Sequence, residues 1–251
     1  MMKTMSNIKR QDSIIYYDDE HRYVDEDTGE EFESVTRFIH RFEQEFDSDK
    51  HSARVAKRDG KTQEQVLQEW KDKADVACDY GTDIHWFMEQ MFLAPGRIII
   101  PKNEDERKLL EAYHKTKQLE LNGDVYPEQI IYNKTYKIAG QSDLIHVVPN
   151  NQFDVGDWKT NEKFKYYSPY NQYLKHPLSH LSQCEYNTYC LQLSLYAYFY
   201  ELMTGMKCRK VFILYYWRTH NIFQVIPMNY MKLEVMMMLK YYTEKIINNK
   251  L

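Results

Sequence analysis

The sequence predicts an α/β fold, a mixed central sheet flanked by helices with a helical N-terminal region, on three observations. The hydrophobic period changes from helical to two between about residues 125 and 158. The elements run in the order helices, strand block, long helix, strand pair and closing helix. The chain has 251 residues, 43% of them hydrophobic, which is enough to close one substantial core. Only eight glycines and seven prolines are present, too few for a flexible linker or a low-complexity tract. Residues 1–80 are expected to form a hairpin and helical region packed on a core made by residues 81–251.

Ser13 to Tyr17 and His21 to Asp25 are β-prone runs joined by the acidic turn Asp18-Asp19-Glu20, and Asp27-Thr28-Gly29 turns the chain again. Ser34 is placed to N-cap a helix from Val35 to Phe46, and Thr62 with Gln65 has capping-box spacing before Val66, Leu67 and Trp70. Residues 34–93 therefore read as mostly helical, with breaks at Gly60 and Gly81. A helix from about Glu104 to Leu121 is expected to stop at Asn122-Gly123. The strand block comprises Val125 to Tyr132, Tyr136 to Ala139, Asp143 to Val148 and Phe153 to Trp158, the last two joined by Pro149-Asn150-Asn151-Gln152. A helix from about Ser182 to Thr204 follows. Strands Lys210 to Trp217 and Ile222 to Ile226 then flank Arg218-Thr219-His220-Asn221, and a methionine-rich helix runs from about Tyr230 to Asn248. There is no internal repeat.

The longest apolar run, Val211 to Trp217, falls far short of the roughly 20 residues that span a bilayer, so no membrane role is expected and the cytoplasm is the expected location. Four cysteines (Cys78, Cys184, Cys190, Cys208) make no C-x-x-C pair and read as free thiols. The net charge of −4 does not announce a nucleic-acid partner, but it is unevenly spread. Residues 16–49 hold thirteen acids against three arginines, a local −10, which leaves +6 on the rest.

The segment GQSDLIHVVPNNQFDVGDWKT carries the chemistry. It sets Asp143 and Asp157 on neighbouring strands of one hairpin, with Asp143 expected opposite Trp158, and puts Lys159 on the same side as Asp157. Two carboxylates and an ammonium at one end of an apolar hairpin are costly to bury unless paired or bound to a cation. Taken alone, a D-x-K sequence in a strand reads more readily as a structural ion pair at a strand end. Elsewhere, His85 and Glu89 share a helix face in GTDIHWFME. Gln192 is one of two clearly polar side chains between Tyr189 and Tyr200, with Tyr196 one turn along. Lys163, Lys165, Lys175 and His176 interleave with Phe164, Tyr166, Tyr167, Tyr170 and Tyr173, the composition of a surface that binds single strands.

In order, these are G-x-x-x-H-x-x-x-E, G-x-x-D, D-x-K-T and Q-x-x-x-Y, spanning about residues 81–200. The pattern resembles the PD-(D/E)XK nuclease superfamily in its RecB-like exonuclease branch, with phage-type members. The resemblance implies a restriction-endonuclease-like core over residues 81–251. It also implies a divalent-metal-dependent deoxyribonuclease, expected to be an exonuclease, acting in DNA processing, recombination or repair. It implies that His85, Asp143 and Asp157, with the backbone carbonyl of Trp158, ligate Mg²⁺ or Mn²⁺. Lys159 then serves the attacking water or the transition state, and Gln192 and Tyr196 touch substrate beside Lys163, Lys165 and Tyr166. Glu128 is a candidate further carboxylate.

Some relatives hold a [4Fe–4S] cluster on one cysteine before the histidine motif and three after the Q-x-x-x-Y helix; here only Cys208 follows Gln192, so no cluster is expected. DNA, as a single strand or a duplex end, is the expected partner, with a helicase or recombination protein beside it. The rival readings are a non-catalytic nucleic-acid-binding or scaffold protein that keeps the fold, and a metal-stabilised structural protein.

Overall fold

A computed structural model describes residues 8–93, 99–116, 121–161 and 164–247. It is α/β, with parallel and antiparallel strands mixed in one sheet and helices on its faces, consistent with a restriction-endonuclease-like core. Strands β1 (Ile8–Gln11), β2 (Ile14–Tyr17), β3 (Arg22–Asp25) and β4 (Glu31–Ser34) form an antiparallel meander. Helices α1 (Val35–His40), α2 (Ser48–Asp59), α3 (Gln63–Leu93) and α4 (Glu104–Lys115) follow. Next come β5 (Asp124–Asn133), β6 (Ile138–Val148) and β7 (Gln152–Lys159). Helix α5 (Glu185–Thr204), β8 (Lys207–Trp217), β9 (Ile222–Met228) and α6 (Lys232–Tyr242) complete the domain.

Strand β6 is the hub. It pairs antiparallel with β5 along one edge, while β7 (antiparallel) and β4 (parallel) share the other. Strand β8 then lies parallel to β7, and β9 antiparallel to β8. The meander and the strands beyond residue 81 thus belong to one sheet across the expected 80/81 division. Helices α1, α5 and α6 cover one face through Phe38, Leu191, Leu195, Phe199, Val235 and Met238, and the end of α3 with α4 covers the other through Ile84, Phe87, Met88, Leu109 and Ala112.

Local signals held where they are purely local. The Ser34 hydroxyl accepts the Arg37 amide, and Thr62 and Gln65 cap each other reciprocally at 2.9 and 3.2 Å. Gly60 ends α2 in the left-handed region. Several expectations are corrected. Strands β1 and β4 were not foreseen: β4, Glu31-Phe32-Glu33-Ser34, is acidic, and its strand character comes from pairing with β3 and β6. Helix α1 stops at His40, not Phe46, because the amides of Arg41, Phe42 and Glu43 bond three residues back in a tighter coil. Tyr136 to Ala139 and Asp143 to Val148 are not two strands; Ile138–Val148 is continuous, held by β5 along its length. Helix α4 ends at Lys115 and not at Leu121, because Thr116 turns to extended backbone; residues 117–120, Asn248 and Lys163 lie outside the described residues.

The expected break at Gly81 is absent, and α3 runs through it for 31 residues. Packing of Ile84, Phe87 and Met88 outweighs the roughly 0.5–1 kcal/mol that a mid-helix glycine costs. A methyl at Gly81 would meet nothing within 4 Å, whereas one at Gly140 would lie 2.7 Å from Tyr196 Cε1 and 3.0 Å from Val35 Cγ2. Gly81→Ala should therefore stabilise the fold by about 0.5–1 kcal/mol, and Gly140→Ala should destabilise it by about 1–3 kcal/mol. Urea denaturation of the two variants beside wild type measures both signs.

Candidate metal centre

The β6–β7 hairpin turns on three residues, Pro149-Asn150-Asn151, with both asparagines at positive φ. Gln152 consequently pairs with Val148, and Phe153 with Val147. This register corrects the expected one: continued one step past the Leu144–Gly156 pair, it sets Asp143 level with Asp157, not with Trp158. Across β6 the pairing of Pro127 with Leu144 and Gln129 with Ser142 brackets Glu128 and Asp143, so Glu128, at φ +52°, sits on the same row. The pleat slips nearby. Ile138 and Ile145, of opposite parity, both pack in the α5 core, so side-chain alternation along β6 skips once between them.

His85 arrives from the other side of the sequence. Trp158 stacks on Phe92 at 5.3 Å and 9°, and Ile84, Phe87 and Met88 are buried against the sheet. This docks the last turns of α3 and sets His85 at the rim, with Nδ1 3.3 Å from Asp143 Oδ2. Ligand atoms of His85, Asp143 and Asp157 all lie within 4.8 Å of one another, the one such cluster of three or more His, Cys, Asp or Glu among the described residues. The three form a group able to hold a metal ion. Lys159 Nζ is 2.6 Å from Asp157 Oδ2 and 4.7 Å from the centroid of the Tyr189 ring. The Trp158 amide donates to Asp143 Oδ2 at 2.9 Å.

Electrostatics follow from the crowding. Burial and the neighbouring Asp143 charge push the Asp157 carboxyl well above the ordinary carboxylate range. Asp143 moves the opposite way: burial works against its charge, but the imidazolium of His85 and hydrogen bonds from Asp157 and His85 hold it ionised. Burial also disfavours a charged His85, yet the carboxylates of Asp143 and Asp157 overcome it and push the imidazole up to about 9. The donor set fits a hard divalent ion. It offers two buried carboxylates that repel each other and one imidazole nitrogen, and a cation would relieve that repulsion.

The remaining expected residues divide. Gln192 Nε2 donates to the Tyr196 hydroxyl at 3.3 Å on α5, and Tyr196 closes over Gly140, three residues before Asp143. Glu128 is on the row of aspartates but outside the close cluster. Lys165 is exposed and paired with Glu185 at 3.0 Å, and Tyr166 is half exposed against Phe164. Tyr189 escaped the sequence reading although it falls one turn before Gln192 on the same helix face, a spacing that could have flagged it.

No family model matches the chain, and no curated protein matches it. Among solved structures, the crystal structure of SSO0001 is 14% identical, covering 84% of this chain and 74% of that one with a TM-score of 0.36. A provisionally named exonuclease from Eubacterium rectale is 13% identical, covering 88% and 82% with a TM-score of 0.41. No helix among the described residues is long and apolar enough to cross a membrane.

The pKa directions set a pH dependence for the metal-free protein. His85 keeps its proton in the folded state up to about 9 but releases it near 6.5 when unfolded, so the stability it contributes is present below 6.5 and lost as pH rises toward 9. Asp157, also raised, acts with the same sign from the ordinary carboxylate range upward. Thermal unfolding in chelator should therefore show a melting temperature that falls between pH 6.5 and 9, with a shallower fall in His85→Gln. A flat or rising profile in wild type would contradict the pairing.

Proposed function

We propose that the chain is a divalent-metal-dependent DNA nuclease, acting as an exonuclease, that hydrolyses phosphodiester bonds in DNA processing, recombination or repair. The observation that carries this reading is the meeting of one imidazole and two carboxylates, 58 and 72 residues apart in sequence from His85, within 4.8 Å and beside a half-buried lysine. The motif order of the sequence supports it. In this reading His85, Asp143 and Asp157 hold Mg²⁺ or Mn²⁺, with the Trp158 carbonyl as a further ligand. Bound there, the ion supplies Lewis-acid polarisation of the phosphoryl oxygen and offsets its charge. Asp143, fixed by the Trp158 amide, keeps the site anionic. Lys159 keeps its proton, since the attraction of Asp157 and Asp143 outweighs the burial that opposes its charge, and its ammonium orients the attacking water and balances the charge that builds on the phosphate. Gln192 contacts the strand, whereas Tyr196, buried against Gly140, holds the Gln192 amide in place and does not reach DNA; Glu128 is an outlying carboxylate on the same row. The nuclease motifs lie within residues 81–251, and residues 1–80 contribute the β1–β4 strands of the same sheet and the first half of α3, with a helicase or recombination protein as partner.

Labelled linear DNA incubated with Mg²⁺ or Mn²⁺ tests the reading. Asp157→Ala should lose Mn²⁺ uptake and cleavage together. Lys159→Ala should retain uptake while turnover falls by roughly 10² or more, the scale of one lost transition-state contact. Absence of divalent-dependent cleavage by folded wild type leaves the non-catalytic binding or scaffold protein in its place.

A further inference from the structure

The parallel strands β7 and β8 end together beyond the metal centre, the position at which α/β sheets present ligand sites. There the chain forms a cleft of about 490 Å³ lined by the rings of Phe164, Tyr166, Tyr215 and Trp217, with Lys165 and Gln224 at its polar edge. This volume falls within the roughly 300–1,000 Å³ of small-ligand sites. The cleft is in line with the catalytic row. Lys159 pairs with Tyr215, and Tyr215 with Gln224, so the three side chains share one face and span two strand spacings, about 10 Å. The path between is aromatic: Tyr189, under the Lys159 ammonium, stacks on Phe164 at 6.0 Å and 15°. Two of the rings are open to solvent, Tyr166 at 49% and Trp217 at 40% exposure, although neighbouring Tyr215 and Tyr216 are buried. Exposed rings that leave usable faces beside a cation and a primary amide suit a flat heteroaromatic ring with hydrogen-bonding edges.

We propose that this cleft is a base-stacking subsite for single-stranded DNA, holding an unpaired base within about 10 Å of Lys159 while its phosphate reaches the metal centre. The proposal rests on the nuclease reading and adds the substrate form to it. A duplex keeps its bases inside the stack, where they cannot enter a cleft between side chains, so a strand must be single or frayed to use this one.

The test uses the full chain carrying Asp157→Asn, so that binding is read without cutting, and fluorescence anisotropy of a labelled oligothymidylate. Adding Trp217→Ala should weaken binding by about 5- to 150-fold, the range for one lost base–ring stack. Trp217→Phe should restore most of it, and the slope of affinity against salt should stay unchanged because no phosphate contact is removed. An oligonucleotide with abasic sites should bind the parent more weakly and show little difference between parent and Trp217→Ala. Mn²⁺ uptake in the Trp217→Ala chain with Asp157 intact checks that the centre is undisturbed; if it is lost, Tyr166→Ala, on the surface loop, decides in its place. Unchanged oligonucleotide affinity in both ring variants, with wild type still cutting DNA in Mn²⁺, overturns the subsite alone. Failure of wild type to cut and of the parent to bind any DNA overturns the subsite and the nuclease reading together.

Discussion

Two buried carboxylates set side by side on adjacent strands dominate this structure. Asp143 and Asp157 are 8% and 3% exposed, and at that depth two negative charges cannot coexist without compensation. The protein supplies it from three directions: the His85 imidazole, the Lys159 ammonium and the Trp158 amide. The His85 and Lys159 partners are themselves shifted by the pair, which is why the local electrostatics behave as one unit and not as separate ion pairs. A structural salt bridge needs only one carboxylate and one cation. The second carboxylate and the imidazole are surplus to that need, and they are what make the group suited to a divalent ion.

The fold around the pair is organised to hold that arrangement. Strand β6 brings Asp143, β7 brings Asp157 and Lys159, and α3 is pinned by the Trp158–Phe92 stack so that His85 reaches over the sheet. Gly140 lets Tyr196 and Val35 press directly on β6, and Gly156 does the same for Phe212 and Leu144 on β7. These glycines exist for close approach and not for turn geometry. The middle of α3, by contrast, is exposed on all sides from residue 71 to 79, between first turns that pair with α2 and last turns that pack on the sheet. The acidic residues of the N-terminal third, mostly exposed, give this part of the molecule a charge opposite in sign to the remainder. Such a face would repel a polyanion and restrict its direction of approach.

What can be read from a neighbouring residue was legible in the sequence. Caps at Ser34 and Thr62, the stop at Gly60, the period-two strands and the pairing of Asp157 with Lys159 two residues on all depend on contacts within a few positions. The candidate ligands were named because residue types in a particular order carry a chemical meaning. Their convergence was not derivable from order alone, since it requires α3 to dock on the far end of a hairpin formed nearly sixty residues later.

The sequence by itself therefore determined the α/β class and most element types, and its motif resemblance singled out His85, Asp143, Asp157 and Lys159 as candidates. Only the tertiary structure decided that Asp143 stands level with Asp157, because a three-residue loop with two left-handed asparagines moved the register by one, and one residue reverses a strand's faces. It alone carried α3 through Gly81, because core packing outweighs backbone propensity. It alone made Glu31–Ser34 a strand and drew Phe164, Tyr215 and Trp217 together, since such pairings join positions whose separation along the chain leaves no local periodicity to read.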